Sequence, residues 1–348
     1  MAENFFLKLK KETPTRLWIN NPTVEEAHLA IAHGGVSCTT NPTYGANMIR
    51  RDGEFARAVI RDCLKQSPDD DVVADLVQQR LVARILEIFR PVYDASQGQD
   101  GYVSIQGDPR ADTDPDHIIG EALRYRALGP NFIAKIPATA AGLQAMEHLL
   151  REGVQVIATE IFGLAQMVAT CEMYRRATAT GGKRPVFYVT HITGIFDEHL
   201  KEYVQQNDIT IAPEVLAVAG ATVCRKQYRL MKERGYDGIL LGGGARGTNH
   251  FTDFVGGAMH ITINWSTAEE ILALNPPVAD RMAIQTAPEV IAELEAKLPD
   301  YRRAWREGGL AIEEFAAYGP VQRFRNQFIR GWTQMLDTIK EERAKGKA

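Results

Sequence analysis

Residues 131–159 read NFIAKIPATAAGLQAMEHLLREGVQVIAT, and this stretch contains the pattern that decides the fold. An apolar run at 132–136 is followed by a segment with helical periodicity at 142–151 and then by a second apolar run at 154–159. Short apolar, β-branched runs predict buried strands, and apolar positions spaced by three and four residues predict the helix between them. The stretch is therefore a predicted strand–helix–strand unit of a parallel sheet.

The same alternation runs through the chain. Strand-like runs lie at 16–20, 36–39, 102–106, 132–136, 154–159, 186–191, 238–242 and 260–263. Helical patterns lie between them, for example at 24–33, 115–126, 142–151, 164–174 and 215–234. Eight alternating units without a linker predict an α/β protein with a closed (β/α)₈ barrel, the TIM barrel, as one domain over residues 1–348.

Two stretches exceed a minimal barrel. Extra helices are predicted as an insertion at about 45–92, and a helical C-terminal extension is predicted at about 265–348. The extension carries an apolar stripe at helical spacing, which must pack on another surface. It either covers the outer wall of the barrel or also leans over its mouth; both readings stay open.

Composition restricts the function classes. The formal net charge is −4, with 24% charged and 45% hydrophobic residues, typical of a soluble globular protein without a nucleic-acid or membrane partner. The four cysteines are dispersed and form no C-x-x-C pair, which indicates a reducing, cytoplasmic compartment. The charged N-terminal stretch predicts neither a signal peptide nor an anchor, and no apolar run reaches the ~18 residues of a membrane span.

Polar residues stand where the predicted strands end, which is where a barrel carries its chemistry. They are Asn20, Thr39, Thr40, Asn41, Gln106, Lys135, Thr159, Thr190, His191 and, in a glycine-rich loop, Arg246. Lys135 is the most informative of them. An unpaired buried ammonium costs several kcal/mol, so burial favours a neutral amine with a pKa of about 7–8, which attacks carbonyl groups. The alternative is a lysine that extends to solvent from a strand edge.

Three segments carry a family resemblance over roughly residues 16–175. They are Cys38-Thr39-Thr40-Asn41-Pro42-Thr43, Lys135-Ile136-Pro137-Ala138-Thr139 followed by Gly142-Leu143, and Thr159-x-Ile161-Phe162-x-x-Ala165-Gln166. The first resembles the T-T-N-P signature of transaldolases, the second their Schiff-base motif, and the third their fifth strand with the following helix. The chain therefore resembles the transaldolase family, which includes the class I fructose 6-phosphate aldolases.

The resemblance implies an enzyme of carbohydrate metabolism, in the pentose phosphate pathway, that transfers a dihydroxyacetone unit from a ketose to an aldose phosphate. Lys135 would form the imine, Thr159 and Gln106 would hold a proton-relaying water, and Asn41 would bind donor hydroxyls. It implies no metal or organic cofactor and a homo-oligomer, with a dimer favoured. The alternatives are a class I aldolase that cleaves or forms a ketose, and a non-catalytic sugar-phosphate-binding relative.

The chain also departs from the family pattern. Asn20 stands where the family has an aspartate, and Gln106 stands where transaldolases have a glutamate, as in fructose 6-phosphate aldolases. Because Asn20 does not titrate, His191 is the predicted replacement acid/base, with a structural role as the alternative. Glu160 is a weaker candidate, since strand alternation turns it away from the face that carries Thr159.

The remaining predicted contacts concern substrate and metal. Arg246, among glycines whose backbone N–H groups can converge on an anion, is the predicted phosphate, carboxylate or sulfonate ligand, and a flexible surface loop is the alternative. Asn20 and Thr40 complete the predicted substrate-binding set. His250, His260 and Asp253 have no spacing typical of metal ligands, so no metal site is predicted.

Overall fold

The eight strands close into one barrel. The computed structural model describes residues 4–179 and 184–346, so residues 1–3, 180–183 and 347–348 of the predicted domain lie outside the described residues. The strands are β1 (Arg16–Asn20), β2 (Ser37–Thr39), β3 (Val103–Ile105), β4 (Phe132–Pro137), β5 (Val156–Ile161), β6 (Phe187–Ile192), β7 (Ile239–Gly243) and β8 (Met259–Ile263). Each strand pairs in parallel with the next, and β8 closes the barrel on β1, where Trp18 lies opposite Thr262. The predicted (β/α)₈ barrel is confirmed, with strand limits within two residues of those expected.

Helices surround the barrel and extend it. They are α1 (Phe5–Glu12), α2 (Val24–Ala32), α3 (Tyr44–Arg51), α4 (Gly53–Leu64), α5 (Asp70–Ala95), α6 (Pro115–Arg126), α7 (Ala140–Arg151), α8 (Leu164–Ala177), α9 (Thr193–Gln206), α10 (Pro213–Leu216), α11 (Ala219–Glu233), α12 (Asn249–Thr252), α13 (Trp265–Leu274), α14 (Pro288–Lys297), α15 (Pro299–Trp305) and α16 (Gly319–Lys345), with a 3₁₀ helix at Ile312–Ala317 before α16. The helical pattern at 215–234 is divided between α10 and α11. Helix α11 begins at Ala219, and Asp197 of α9 caps its first turn, since its Oδ1 accepts from the N–H of Gly220 at 2.8 Å.

The interior of the barrel changes from apolar to polar along its axis. One buried cluster contains Trp18, Val36, Tyr102, Ile133, Ile157, Tyr188 and Leu241. Alternate residues of a strand share a face, so the residue two positions later also points inward. Counted from Trp18, Tyr102, Ile133, Ile157, Tyr188 and Leu241, those next positions are Asn20, Ser104, Lys135, Thr159, Thr190 and Gly243. The rule does not apply to Val36, which precedes β2, and there Thr39 lines the interior cavity. The carboxyl ends of the strands therefore surround a polar chamber above an apolar floor.

The added helices form a seat for the last helix. Helices α3, α4 and α5 lie between β2 and β3, and α16 packs against all three and against α9. The apolar stripe of α16 is buried in these contacts, including Phe328, Trp332 and Met335. The division into one barrel domain, an insertion and an extension stays a prediction, although helices occupy both expected stretches.

Candidate active site

Lys135 lies at the inner face of β4 near its carboxyl end. Its side chain is buried, with 7% exposed surface. Burial lowers the pKa of Lys135 from 10.5 to about 8, and the charges of Glu160 and the Cys38 thiol oppose the decrease. At pH 7, roughly one such lysine in ten is a neutral amine, far more than for a solvated lysine. The amine is therefore available as a nucleophile at neutral pH.

The end of β4 is held by the helix that follows it. The Thr139 side chain caps α7 by accepting a hydrogen bond from the N–H of Gly142, at 3.1 Å. A Cβ atom at Gly142 would lie 1.9 Å from the carbonyl oxygen of Pro137, so only glycine allows this approach. The Schiff-base-like motif thus has a structural basis: its threonine and glycine fix the backbone next to Lys135.

A cavity of about 210 Å³ opens above Lys135. Its lining is mostly amide and hydroxyl, and it consists of Asn20, Asn21, Thr39, Asn41, Thr43, Asn47, Lys135, Thr190, Ile192, Leu241, Gly243, Gly244, Arg246, Thr262, Asn264, Phe324, Gln327 and Phe328. Within the described residues, the charged side chains of this lining are Lys135 and Arg246. Such a chamber suits a small polyhydroxylated molecule with an anionic end.

A chain of hydrogen bonds fixes one wall of the cavity. Asn20 Nδ2 donates to Asn264 Oδ1 at 2.9 Å, and Asn20 Oδ1 accepts from Thr39 Oγ1 at 2.9 Å. The hydroxyls of Thr39 and Thr262 lie 2.7 Å apart. Thr262 and Asn264 come from the end of β8, the one strand end that the sequence argument left out, although the same rule would have found them. Asn20 thus uses its amide as both donor and acceptor.

Of the two predicted substrate ligands at the end of β2, Asn41 faces the cavity and Thr40 does not. Asn41 lines the cavity, and its Oδ1 accepts from Thr43 N at 3.1 Å and from Thr43 Oγ1 at 2.6 Å. Its amide nitrogen is therefore the group left to contact a ligand. Thr40 does not line the cavity, because its hydroxyl donates to the carbonyl of Ser104 at 2.6 Å. Thr40 joins β2 to β3, and a direct substrate contact is not supported.

Three buried polar side chains, those of Gln106, Thr159 and Glu160, lie on or just after the two strands that flank β4. Gln106 Nε2 donates to Glu160 Oε1 at 3.0 Å. The other polar atoms of the group, Gln106 Oε1, Glu160 Oε2 and Thr159 Oγ1, are buried without a protein hydrogen-bond partner. Buried polar atoms without a protein partner commonly bind ordered water, and the role of Gln106 and Thr159 in holding such a water stays a prediction.

Strand alternation fails at Glu160, so the expectation that it turns to the opposite face was wrong. The register of β5 against β6 shifts between Ala158 and Ile161, a β-bulge, and Glu160 has a left-handed φ of 60°. A bulge re-aims the side chain that it carries. The strand pattern alone contained no signal for it.

His191 lies on the outer face of β6, where Tyr188 and Thr190 take the inner positions. It is fully buried next to Gly220 and Gln227 of α11, and it is absent from the cavity lining. Burial lowers the pKa of His191 from 6.5 to about 3, although those two neighbours favour the charged form. The geometry therefore supports the structural alternative for His191 and not the predicted acid/base role.

Arg246 reaches the cavity from the loop after β7. Its side chain is 37% exposed and pairs with Glu198, Nε to Oε1, at 2.7 Å. The backbone N–H of Arg246 donates to His250 Nδ1 at 2.9 Å, and His250 Nε2 lies 3.0 Å from Asp197 Oδ2. Because Nδ1 accepts, Nε2 carries the proton and donates to Asp197. This pair fixes the loop, so that Arg246 is a positioned cation at the mouth.

The two histidines considered as metal ligands, His250 and His260, make structural hydrogen bonds instead. His260 Nδ1 accepts from Trp18 Nε1 at 2.8 Å inside the barrel, and His250 bonds the Arg246 loop. In the described part of the chain, no group of three or more His, Cys, Asp or Glu is arranged to hold a metal ion. Within the same ranges, no helix combines the length and apolar character needed to cross a bilayer.

The last helix closes over the cavity, which decides between the two readings of its apolar stripe. Phe324 and Phe328 of α16 belong to the cavity lining. The Lys135 Nζ atom lies 6.0 Å from the centre of the Phe328 ring, at the outer limit of a cation–π contact. The stripe therefore packs on the added helices and also covers the mouth, where it excludes water from the amine.

Comparison with known proteins agrees with this geometry. A transaldolase of Saccharopolyspora erythraea is 30% identical over 182 residues, which are 50% of this chain and 49% of that protein. Transaldolase 1 of Streptomyces avermitilis is 34% identical over 211 residues, 57% of this chain and 55% of that protein, and a transaldolase of Acidothermus cellulolyticus is 36% identical over 208 residues, with the same coverage. The chain thus spans about half the length of the curated relatives it matches. The model of the family Transaldolase/Fructose-6-phosphate aldolase matches residues 17–308, and the protein belongs to this family.

Proposed function

We propose that this protein is a class I Schiff-base enzyme that transfers a dihydroxyacetone unit from a ketose phosphate to an aldose phosphate through Lys135. The observation that carries the proposal is the buried amine, with a pKa of about 8, facing a polar cavity at the carboxyl ends of the strands. The relatives named transaldolase support the reaction class. Arg246 binds the phosphate end, and Asn20 and Asn41 bind hydroxyls of the bound sugar.

The reaction follows from the chemistry of the amine. The nitrogen of Lys135 attacks C2 of the ketose, water leaves, and a protonated imine remains. This cation accepts the electron pair of the C3–C4 bond as that bond breaks, while the C4 hydroxyl loses its proton and departs as the carbonyl of an aldose. The resulting enamine attacks the carbonyl carbon of an acceptor aldose, and hydrolysis of the new imine releases the product ketose.

A class I aldolase is the second candidate, and a specific observation favours it. Asn20 bonds Asn264 and Thr39 at the wall where the C4 hydroxyl would lie, and an amide does not exchange a proton at neutral pH. This change departs from the transaldolase pattern at the cleavage step, and the fate of the enamine then separates the two reactions. An aldolase would protonate the enamine and release dihydroxyacetone without an acceptor.

Trapping with borohydride tests the proposal. Fructose 6-phosphate and borohydride are expected to add a reduced ketose adduct to Lys135, located by peptide mass spectrometry, and Lys135→Met should abolish both the adduct and turnover. Lys226→Met is the matched control, because Lys226 lies outside the barrel over the Trp305 ring. An adduct on another lysine, or none with any ketose phosphate of a broad panel, would show that the proposal is wrong.

A second assay separates the two reactions. With erythrose 4-phosphate present, the transferase produces a new ketose phosphate, whereas the aldolase releases dihydroxyacetone with or without the acceptor. A pentose phosphate pathway role, a cytoplasmic location and a dimer stay predictions, and sedimentation velocity would measure the oligomeric state.

A further inference from the structure

Lys135 has one carboxylate within electrostatic reach. Among the described residues, the cavity lining contains no Asp, Glu or His, since its charged members are Lys135 and Arg246. The ionisable groups that act on Lys135 are Glu160 and the Cys38 thiol, and the larger effect is that of Glu160. Burial raises the pKa of that thiol well above its ordinary value, so it stays protonated at neutral pH. If imine formation uses a side-chain acid or base beside the amine, the described structure offers Glu160.

The backbone places Glu160 there at a cost. A non-glycine residue in the left-handed region is strained, and Glu160 holds a φ of 60° within the bulge of β5. Regular alternation would instead have turned it to the face opposite Thr159. The bulge brings the carboxylate to Gln106, the residue after β3, and β4 with Lys135 lies between β3 and β5.

Only half of the carboxylate is occupied by that contact. Oε1 accepts from Gln106 Nε2 at 3.0 Å, whereas Oε2 is buried without a protein partner. Gln106 Oε1 and Thr159 Oγ1 are buried and unpartnered in the same way. A carboxyl oxygen, an amide oxygen and a hydroxyl together can hold a water molecule that donates and accepts.

The groups around Glu160 favour its protonated form. Burial raises the pKa of Glu160 from 4.5 to about 8, and the charge of Asp112 adds to the increase. The hydrogen bond from Gln106 and the charges of Lys135 and Arg325 oppose it. Glu160 and Lys135 thus titrate in the same pH range, so a proton can pass between them without a large free-energy difference.

Building on the function proposed above, we propose that Glu160 is the proton-transfer group for imine formation at Lys135, acting through a water held by Gln106 and Thr159. The Glu160 carboxylate first takes a proton from the Lys135 ammonium. The neutral amine attacks the ketose carbon, the C–N bond forms, and the carbonyl oxygen becomes a hydroxyl with a proton relayed from the nitrogen. The Glu160 acid then protonates that hydroxyl, which leaves as water as the C=N bond forms, so no net proton is gained or lost.

Single-turnover trapping at varied pH tests this role. The reactive state needs a neutral Lys135 and a protonated Glu160, so the rate of adduct formation in the wild type should rise and then fall, with a maximum near pH 8. Glu160→Gln keeps the shape of the side chain and its contact with an amide. It should slow adduct formation by about 10²-fold or more and remove the alkaline limb.

Two further variants separate chemistry from structure. Exchanging the two groups, in Gln106→Glu with Glu160→Gln, returns a carboxylate to the same hydrogen bond and should recover the rate to within about tenfold, together with the alkaline limb. Glu121→Gln removes another buried carboxylate, which accepts from Asp108 N on the outer side of the barrel, and should change neither.

The outcomes distinguish this inference from the function on which it rests. If Glu160→Gln forms the Lys135 adduct at the wild-type rate, or slowly with both limbs retained, the role of Glu160 is overturned while the Schiff-base function stands. A wild-type rate that rises through pH 8 and stays level to pH 10 overturns it without any variant. Absence of the Lys135 adduct in the wild type would instead overturn the proposed function itself.

Discussion

Replacing Lys135 with methionine should abolish catalysis and make the protein more stable. Burial lowers the pKa of Lys135 from 10.5 to about 8 in the folded chain, so the unfolded chain binds more protons between these values. Stability of the wild type therefore rises with pH across that window. The destabilisation is complete below pH 8, where it amounts to about 3 kcal/mol at 1.36 kcal/mol per pH unit, and it disappears above pH 10.5. Lys135→Met removes this destabilisation, because methionine carries no charge and has a side chain of similar length.

Urea unfolding followed by circular dichroism at pH 7 and pH 9.5 measures the effect. Lys135→Met should exceed the wild type by about 3 kcal/mol at pH 7 and by clearly less at pH 9.5. Lys340→Met, at an exposed position of α16, should change little at either pH. A less stable Lys135→Met protein at pH 7, or a gain independent of pH, would refute the reasoning.

Three other substitutions test the remaining side chains. Asn20→Asp loses the donor to Asn264 and adds a negative charge to the cavity of Lys135, so the acid limb of the adduct-formation profile should move to higher pH; an unchanged limb would contradict this. Arg246→Ala should lower kcat/KM for a ketose phosphate by about 1.5–3 kcal/mol while leaving unphosphorylated fructose nearly unaffected, and equal losses for both sugars would exclude a phosphate contact. His191→Asn should leave the pH profile of adduct formation unchanged, because His191 faces away from the cavity; loss of a limb near pH 6–7 would restore its predicted acid/base role.

The barrel and much of the cavity were predictable because they depend on local patterns. Apolar runs alternating with amphipathic segments identify the strands, and the barrel rule then places Asn20, Lys135 and Arg246 at one end. The outward direction of the His191 side chain could also have been predicted from the sequence. Once Tyr188 is assigned to the interior, alternation turns Thr190 inward and His191 outward.

Other features depend on contacts that no local pattern encodes. The bulge that turns Glu160 toward Gln106 arises from the pairing of β5 with its neighbours. The apolar stripe of α16 showed that this helix is buried, but its target depends on helices more than two hundred residues earlier in the chain. Long-range packing therefore supplied the part of the site that the sequence could not.

The cover formed by α16 makes the chemistry of the site depend on a helix that follows all eight strands in the chain. A ribosome releases the complete set of strands well before it releases Phe328, so a barrel can assemble around a lysine that water still reaches. Its amine then stays largely protonated and unreactive toward the sugars and aldehydes of the cell. Docking of α16 removes that water, so the amine becomes nucleophilic only once this helix is in place. Transient undocking would reverse the change, so the reactivity of one amine reports whether α16 is packed on the barrel.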